Sequence, residues 1–383
     1  MRSSVTSFLA LLGLCPALSL FAQTPVPSAV RLTLPPQVFA VEGAPMKIDL
    51  RNTVLAAPER IEGLEFEVIC PVGKVTGQQW ILTATSAEVG THSLQISVKD
   101  AAGHLLGKER TTLRISPADS GKGENTALLI IGDSLTHASL YPNELARLLS
   151  GAGNPTWRML GTHHPAGAAE GVFHEGYGGW TWNRFQTLFD PKAPEPGKIT
   201  SSPFLFPPAK AGEAPVLDLP RYFKERCAGQ LPDYLIIMLG INDCFRANPE
   251  DNASIESTVD AMFKEAETLL AKFRAAAPQA DIGLCLTTPG NDRDGAFVAN
   301  YQDKYTRWGW RRIQHRLVER QIQAFRGREK DRMFIIPTEL NLDCTAGYPE
   351  NNGVHPNATG YAEIGSSIYA WLKSRFALRS AGR

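Results

Sequence analysis

The chain has 383 residues, long for one domain and sufficient for two, and 43% of them are hydrophobic while 20% are charged. Lysine plus arginine and aspartate plus glutamate each number 39, so the formal net charge at pH 7 is zero. This balance argues against a nucleic-acid partner or an anionic membrane surface recognised through bulk charge. We therefore expect a neutral or locally recognised partner.

The first 22 residues have the pattern of an export signal. Arg2 supplies a short positive region, and the apolar run from Phe8 to Phe21 is too short to span a bilayer. Gln23-Thr24-Pro25 then interrupts the pattern, so we expect cleavage near Ala22 and an exported protein, periplasmic or extracellular. A buried N-terminal helix is the alternative. No later apolar run has the length of a transmembrane helix, so no membrane span is expected.

Residues 28–117 contain short alternating strands with turn residues between them. In the clearest one, Leu94, Ile96 and Val98 alternate with polar residues, which is typical of a half-buried antiparallel strand. The spacing predicts a small immunoglobulin-like β-sandwich that acts as a spacer or packing module, with carbohydrate binding as the alternative role. Residues 118–123 are polar and rich in glycine, which predicts a linker.

From residue 124 to residue 383 the pattern changes to alternating strands and helices. Such alternation predicts a parallel sheet with helices on both faces. The predicted strands are Ala127–Ile131, Trp157–Leu160, Tyr234–Leu239, Ile282–Leu286 and Met333–Ile336. The predicted helices are Leu140–Leu149, Ser254–Phe273, Trp308–Phe325 and Thr359–Arg375. The long proline-rich segment from Asp190 to Pro220 is predicted to form a rim or lid, or else a disordered surface loop.

The apolar strand at Ala127 ends in Gly132-Asp133-Ser134-Leu135, directly before a helix. A serine at the carboxyl end of a central strand lies in the crevice where open α/β sheets bind ligands. The start of a helix also places backbone N–H groups and partial positive charge beside its hydroxyl, which suits an acyl-transfer nucleophile. A plain turn, with Asp133 or Ser134 capping the helix, is the alternative.

Three later stretches carry the other chemistry. The glycine cluster from His174 to Thr181 allows the backbone to approach a ligand closely. Asn242 follows the strand that ends near Leu239, so its amide can reach the same crevice. His355 lies in a loop that leads into the last helix, which makes it the best general base.

These four stretches resemble, in order and spacing, the four sequence blocks of the SGNH hydrolase superfamily, also called the GDSL esterases and lipases. The resemblance covers residues 124–377 and implies a flavodoxin-like three-layer α/β/α fold, preceded here by the all-β sandwich. It implies ester hydrolysis without a cofactor. By matching position, Ser134 is the nucleophile and His355 the base. The oxyanion hole comes from the Ser134 N–H, the Gly179 N–H and the Asn242 side chain.

The chain departs from the family at one position, where Asn352 replaces the usual aspartate three residues before the histidine. An amide can fix the histidine tautomer, but it cannot stabilise an imidazolium as a carboxylate does. Glu350 or Asp343 is therefore a candidate substitute. Alternatively Asn352 or a backbone carbonyl orients the ring and leaves a Ser–His dyad, or the enzyme is slow.

Other residues near the four blocks favour structural roles. Asp133 and Asp243 are predicted to hold loops by accepting backbone N–H groups. Trp180 and Trp182 are predicted to belong to the aromatic core rather than to a sugar-stacking wall. No spacing among the nearby histidines predicts a metal site; these are His137, His163, His164 and His174. Five cysteines follow the signal: Cys70, Cys227, Cys244, Cys285 and Cys344. Two alternatives are equal: one disulfide forms among the last four, or the cysteines are small buried hydrophobic side chains with free thiols.

Together these features predict an exported two-domain serine esterase. Its expected substrate is a small-molecule or polysaccharide ester with a short acyl group, above all acetyl on a carbohydrate. The first alternative is a carboxylesterase or lipase that acts on simple acyl esters. The second is a non-catalytic glycan-binding or scaffold protein that retains the fold, which Asn352 favours.

Overall fold

The computed structural model describes residues 30–55, 63–192, 199–210, 212–302 and 304–381. The predicted export signal, residues 1–22, lies outside the described residues. None of the helices in the described ranges combines the length and apolar character needed to cross a membrane.

Residues 31–116 form a β unit in which two small sheets face each other across one apolar core. One sheet has the strand order β2-β9-β8-β5 and the other the order β3-β7-β6, while β1 pairs with β4. Trp80, Leu94 and Ile96 are almost completely buried between them. The strands are β1 Arg31–Leu32, β2 Gln37–Val41, β3 Pro45–Asp49, β4 Val54–Leu55, β5 Glu65–Ile69, β6 Lys74–Thr76, β7 Gln79–Thr83, β8 Gly90–Lys99 and β9 Leu105–Ser116.

The preceding all-β unit is thus confirmed, although its alternating patterns did not indicate three of its strands, β2, the two-residue β4 and β6. Strand β2 is buried at four of its five positions, so it lacks the period-two alternation of a half-buried strand. Strand β6 is exposed at all three positions and carries no hydrophobic signal. The immunoglobulin-like topology stays a prediction.

The second unit, residues 125–381, is built on a parallel sheet. Its strands run in the order β11-β10-β15-β16-β17, and the short β12 also pairs with β10. In chain order this is 2-1-3-4-5, the flavodoxin-like order that the resemblance implies. The strands are β10 Asn125–Gly132, β11 Thr156–Leu160, β12 Glu175–Gly176, β15 Tyr234–Met238, β16 Asp281–Cys285 and β17 Met333–Ile336. All five predicted strands are present, with ends that differ by two residues at most.

Helices cover both faces of this sheet, which confirms the three-layer α/β/α fold. Strand β10 is buried on both sides: Leu129 and Ile131 face one apolar core, and Leu128 and Ile130 face the other. The first core is covered by α3 Trp182–Thr187, α4 Leu219–Arg226, α6 Asn252–Ala276 and α8 Arg307–Phe325. The second is covered by α2 Leu140–Leu149, α7 Asp294–Tyr301 and α10 Ala358–Ala381. The remaining helices are short: α1 Ser134–His137, α5 Ile241–Cys244 and α9 Thr338–Asn341.

The segment predicted to form a lid is partly built into the core. Its hairpin pairs β13 Leu205–Phe206 with β14 Val216–Leu217. The Phe204 ring is buried among aromatic residues, with its centroid 4.9 Å from that of Tyr222 and 5.3 Å from that of Phe273. Residues 193–198 and residue 211 of this segment lie outside the described residues. The described part therefore anchors the segment, and a covering role remains a prediction.

The five cysteines that follow the predicted signal are free thiols, and all but Cys70 are buried. This agrees with the second of the two alternatives, small buried hydrophobic side chains. Burial raises the pKa of the Cys344 thiol above its ordinary value, so this group stays neutral.

The β unit and the α/β unit share buried apolar surface. Leu340 of α9 belongs to the core of the β unit, and Phe39 and Val41 of β2 belong to a core of the α/β unit. The predicted linker is also packed, because Lys373 of α10 donates from Nζ to the Ser120 carbonyl at 2.5 Å. The two units are therefore joined by packing as well as by the chain.

The shared core makes a prediction about Leu340, whose side chain is fully buried. We expect Leu340→Ala to lower the free energy of unfolding by about 2–5 kcal/mol, because it leaves a cavity between the units. Urea denaturation followed by tryptophan fluorescence measures the change. Leu378→Ala is the control, since Leu378 is 40% exposed, and it should cost less than about 0.5 kcal/mol. A loss at Leu340 no larger than that of the control would contradict a shared core.

Candidate active site

The predicted nucleophile lies at the point where the strand order of the sheet reverses. Neighbouring strands β10 and β15 end at the same edge of the sheet, and Ser134 follows the first while Asn242 follows the second. Ligands of open α/β sheets bind at this switch point, because the connections from the two strands leave on opposite sides of the sheet. Ser134 is the first residue of α1, and Asp133 caps this helix by accepting the Leu135 N–H at 3.0 Å.

His355 meets Ser134 from the loop between α9 and α10, here called the histidine loop (residues 342–357). Its Nε2 atom lies 2.9 Å from the Ser134 hydroxyl oxygen, across 221 positions of sequence. With the ring proton on Nδ1, Nε2 accepts the hydroxyl proton of Ser134. This is the geometry of a general base beside its nucleophile.

Asn352 holds the backbone of this loop rather than the histidine ring. Its side-chain oxygen accepts the N–H of Val354 at 3.0 Å and the N–H of His355 at 2.9 Å. Asparagine commonly closes a turn in this way, because its short side chain reaches the backbone two or three residues later. The oxygen predicted to face the ring is thus used to fix the turn.

The two predicted carboxylate substitutes are also elsewhere. Glu350 is exposed to solvent, and Asp343 accepts the N–H groups of Thr345 and Ala346 and the side-chain amide of Gln79. Among the described residues none forms a hydrogen bond with His355 Nδ1, so the orienting role predicted for Asn352, Glu350 or Asp343 is not seen. Burial lowers the pKa of His355 below its ordinary value of 6.5. Of the predicted alternatives, this geometry is compatible with a Ser–His dyad.

Three N–H donors follow strands that end at the same edge of the sheet, β10, β12 and β15. In the described part of the chain, the backbone N–H groups of Ser134 and Gly179 are used in no hydrogen bond. Gly179 has a φ of +73°, in a turn closed by the Trp180 N–H and the Tyr177 carbonyl at 3.2 Å, so a side chain here would be strained. Asn242 donates one amide hydrogen to the Trp180 carbonyl at 3.1 Å and keeps a second. These groups are the ones predicted for an oxyanion hole.

A buried carboxylate, Glu175, positions the segment that carries Gly179. It is fully buried and accepts hydrogen bonds from the Tyr222 hydroxyl at 2.6 Å, the Thr162 N–H at 2.8 Å and the Tyr177 hydroxyl. Burial raises the pKa of Glu175 above its ordinary value. The sequence interpretation missed this residue, whose only signal was an acidic side chain between a histidine and a glycine in an otherwise apolar and glycine-rich stretch.

The first two sequence blocks are pressed together around Thr136. A β-carbon added at Gly132 or at Gly176 would overlap the Thr136 side chain. The Thr136 hydroxyl lies 2.6 Å from the Tyr141 hydroxyl in the core. Glycine is therefore required at both strand ends for the close approach of the two blocks.

The histidines near the blocks support the backbone. His174 accepts the Gly176 N–H at Nδ1 at 3.1 Å, and its Nε2 lies 2.9 Å from the Ser139 hydroxyl. His163 Nε2 lies 2.9 Å from His137 Nδ1. Burial lowers the pKa of His163 to about 4 and that of His174 to about 3, so both rings are neutral near pH 7. The described residues contain no group of three or more side chains able to hold a metal ion.

One buried aspartate, one half-buried aspartate and two tryptophans occupy the structural positions predicted for them. The Asp243 carboxylate accepts the Trp182 N–H at 3.3 Å, as Asp133 accepts that of Leu135. Burial raises the pKa of each aspartate to about 7, and at Asp133 the charge of Asp243 adds to the effect. Trp180 and Trp182 are 3% and 4% exposed, so both belong to the core.

The segment after β16 braces the histidine loop. The Asn291 N–H donates to the Gly353 carbonyl at 2.9 Å, and its side-chain amide donates to the Pro349 carbonyl at 2.7 Å and the Asn352 carbonyl at 3.0 Å. Arg293 Nη1 donates to the Thr345 carbonyl at 2.9 Å. The sequence shows this segment only as a polar cluster after a strand, which does not indicate what it touches.

The lowered pKa of His355 predicts the acid limb of the pH profile. A general base works only when it is unprotonated. Because the pKa of His355 lies below 6.5, the acid limb of the profile should also lie below pH 6.5. The pH dependence of kcat/KM reports this pKa in the free enzyme. We expect Asn352→Asp to move this limb to higher pH, because a carboxylate within about 4–6 Å favours the protonated ring. The aspartate keeps both bonds to the loop.

Two variants control this experiment. Asn351→Asp adds the same charge at the exposed neighbouring position and should move the limb less, because solvent screens it. Asn352→Ala removes both loop bonds without adding a charge, so it should lower kcat and move the limb less than Asn352→Asp does. An acid limb that is unchanged in Asn352→Asp would contradict our account of the histidine environment.

The chain is similar to a known protein family and to several solved structures. A model of the GDSL-like lipase/acylhydrolase family matches residues 130–363. Among solved structures, the family 3 carbohydrate esterase of Clostridium thermocellum is 15% identical with a TM-score of 0.42, over 66% of this chain and 100% of that chain. A family 3 carbohydrate esterase from Talaromyces cellulolyticus is 16% identical with a TM-score of 0.40, over 66% and 98%.

A carbohydrate acetylesterase from Sinorhizobium meliloti is 18% identical with a TM-score of 0.37, over 65% of this chain and 99% of that chain. No curated protein matches the chain. The family model spans more than half of the sequence and includes all four blocks; it begins within β10 and ends within the last helix. The chain therefore belongs to the GDSL-like lipase/acylhydrolase family, the SGNH hydrolases that its sequence blocks resemble.

Proposed function

We propose that this protein is an exported serine esterase that removes short acyl groups, above all acetyl, from a carbohydrate. The observation that carries the catalytic part is the 2.9 Å hydrogen bond between Ser134 Oγ and His355 Nε2. It lies at the ligand-binding edge of the sheet, with the N–H donors of Ser134, Gly179 and Asn242 in the same crevice.

In the first half of the proposed reaction, Ser134 Oγ attacks the carbonyl carbon of the ester while His355 Nε2 takes the hydroxyl proton. The carbonyl oxygen becomes an oxyanion, which the three N–H donors stabilise. The tetrahedral intermediate collapses when the bond to the alcohol oxygen breaks. His355 gives its proton to that oxygen, so the alcohol leaves and the acyl group stays on Ser134.

In the second half, water attacks the acyl-enzyme while His355 takes one of its protons. The oxyanion forms again in the same place. When it collapses, the bond to Ser134 Oγ breaks, His355 returns the proton to the serine, and the carboxylic acid is released. In the part of the chain that the structure describes, no carboxylate forms a hydrogen bond with the ring, so the burial and loop bonds of His355 must keep it in place through both steps.

The choice of a short acyl ester on a carbohydrate is supported by features of the sequence and by the burial of two tryptophans. The sequence predicts export and carries no extended apolar stretch suited to a lipid surface. The two tryptophans beside the Gly179 donor are buried, so they do not provide an open wall for a long acyl chain. The β unit is the kind of companion expected beside an enzyme that acts on polysaccharides.

Removing the nucleophile tests the catalytic proposal directly. We expect Ser134→Ala to lower kcat on p-nitrophenyl acetate by about 10⁶-fold, the order found when a catalytic serine is lost. A non-catalytic glycan-binding protein would have no activity to lose. Comparison of the acetate with the decanoate tests the substrate: a strong preference for the long chain would favour the lipase alternative and contradict the acetyl proposal.

Asn242 provides a second test of the proposed mechanism. We expect Asn242→Ala to lower kcat by about 10²–10³-fold, because one oxyanion donor is lost from the transition state. KM should change little. Asn248→Ala is the matched control at an exposed position six residues later, and it should leave kcat unchanged. A fall in kcat that is equal in the two variants would exclude Asn242 from the oxyanion hole.

A further inference from the structure

Building on the proposed function, we infer that Arg51 of the β unit is a positioning residue for His355. The guanidinium joins the β unit to the segment that braces the histidine loop. The β unit then helps to position the histidine and is more than a spacer. This role is distinct from catalysis, because Arg51 acts through Asp292 and not on the substrate.

The first step is the geometry of the Arg51 guanidinium. Its Nη2 atom donates to Asp49 Oδ2 at 2.6 Å, and its Nε atom donates to Asp49 Oδ1 at 3.0 Å. Asp49 is fully buried, so this bidentate pair holds the planar guanidinium in one orientation. The remaining nitrogen, Nη1, points out of the β unit and donates to Asp292 Oδ2 at 2.9 Å and to the Thr345 hydroxyl at 3.4 Å.

The second step leads from Asp292 to the histidine loop. The Asp292 N–H donates to the Cys344 carbonyl at 2.9 Å, near the start of that loop. Its neighbour Asn291 holds the carbonyls of Gly353, Pro349 and Asn352, directly before His355. A shift of the segment at Asp292 therefore moves the groups that fix the backbone of His355.

A second residue of the β unit holds the beginning of the same loop. The Asn52 side-chain amide donates to the Leu342 carbonyl at 2.9 Å and to the Glu339 carbonyl at 2.8 Å. Its side-chain oxygen accepts a hydrogen bond from the Cys344 thiol at 2.7 Å. Arg51 and Asn52 are consecutive, so one short 3-10 helix, Leu50–Thr53, makes all of these contacts.

These bonds are of the kind that can hold a loop in place. The Arg51 side chain is 18% exposed and that of Asp292 26%, so solvent screens their attraction less than at an open surface. Displacing a catalytic group by about 1 Å can cost about 10²-fold in rate. A brace at this depth therefore matters for kcat even though it lies away from the reacting atoms.

Another contact between the two units provides a control. Arg31 of β1 donates to Glu319 of α8 at 3.3 Å. This bond joins the same two units but reaches a helix that does not carry His355. Loss of the Arg31 bond tests the general cost of weakening the interface, without loosening the brace.

The experiment compares Arg51→Met, Asp292→Ala, the double variant, Arg51→Lys and the control Arg31→Met in the full chain. The Asp292 variant leaves the buried Arg51–Asp49 pair intact, so it tests the idea even if Arg51→Met folds poorly. We expect each single variant of the brace to lower kcat by roughly 10- to 100-fold with KM within about twofold. The double variant should lose less than the product of the two single losses, because the two residues share the Arg51–Asp292 contact.

Arg51→Lys should recover part of kcat, because a lysine still places a positive charge between the two aspartates. Arg31→Met should leave kcat unchanged. Thermal melting of each variant separates a change in stability from one in rate. Arg51 would be a fold contact only, and the proposal overturned, if melting temperatures fall while kcat of the folded protein stays constant in Arg51→Met and Asp292→Ala.

An NMR titration of His355 gives a readout that does not need turnover. In the wild type, burial keeps the His355 pKa below 6.5; a loosened loop should expose the ring and raise the pKa toward that value in the Arg51 and Asp292 variants alone. If the wild type hydrolyses no ester but this shift occurs, the proposed function fails and the positioning role stands. A His355 pKa that is the same in all variants overturns the positioning role.

Discussion

The hydrogen bond between Ser134 and His355 joins two parts of the chain that are held by different means. Ser134 follows a strand that is buried on both faces, and a helix cap fixes its backbone. His355 lies in a loop, where no ladder of backbone bonds sets its position. A hydrogen bond tolerates only a few tenths of an ångström before it weakens. The accuracy of the site therefore depends on what restrains the histidine loop.

That restraint comes from side chains that donate to backbone carbonyls. Asn291, Arg293 and Asn52 each donate to carbonyls of the loop or of the residues just before it. Buried backbone carbonyls need partners, and a loop without regular structure must find them in neighbouring side chains. Asn352 provides the turn itself, by accepting two N–H groups of the loop. The side-chain oxygen at this position therefore serves the turn.

The elements of the fold could be predicted from the sequence because each is encoded locally. Strand β10 shows as an apolar run and α6 as a helical period of apolar residues, and Ser134, Asn242 and His355 follow or precede such elements at characteristic places. The partner of the histidine ring could not be predicted, because the spacing of Asn352 to His355 fits a ring contact and a turn equally well. Only the three-dimensional structure separates the two.

The polar contacts that hold the site in place could not be predicted from the sequence for a related reason. Glu175 looks like one more polar residue until the hydroxyls of Tyr177 and Tyr222 are seen around it. Arg51 and Asp292 are 241 positions apart, and nothing in either local pattern refers to the other. Periodicity reports which face of an element is buried; it carries no information on which polar groups meet across an interface.

Such contacts make the β unit less independent than its sequence boundary suggests. Its alternating strands and the polar stretch at residues 118–123 suggest an independent module on a flexible tether. Leu340 nevertheless completes its apolar core, and Asn52 satisfies carbonyls beside the histidine loop. Without the β unit, those carbonyls would lose the Asn52 amide, and the Leu340 side chain would be exposed to water. The loop would then be less ordered, and the free energy of burying Leu340 would be lost. The part of the chain that carries no catalytic residue is thus coupled to the part that does.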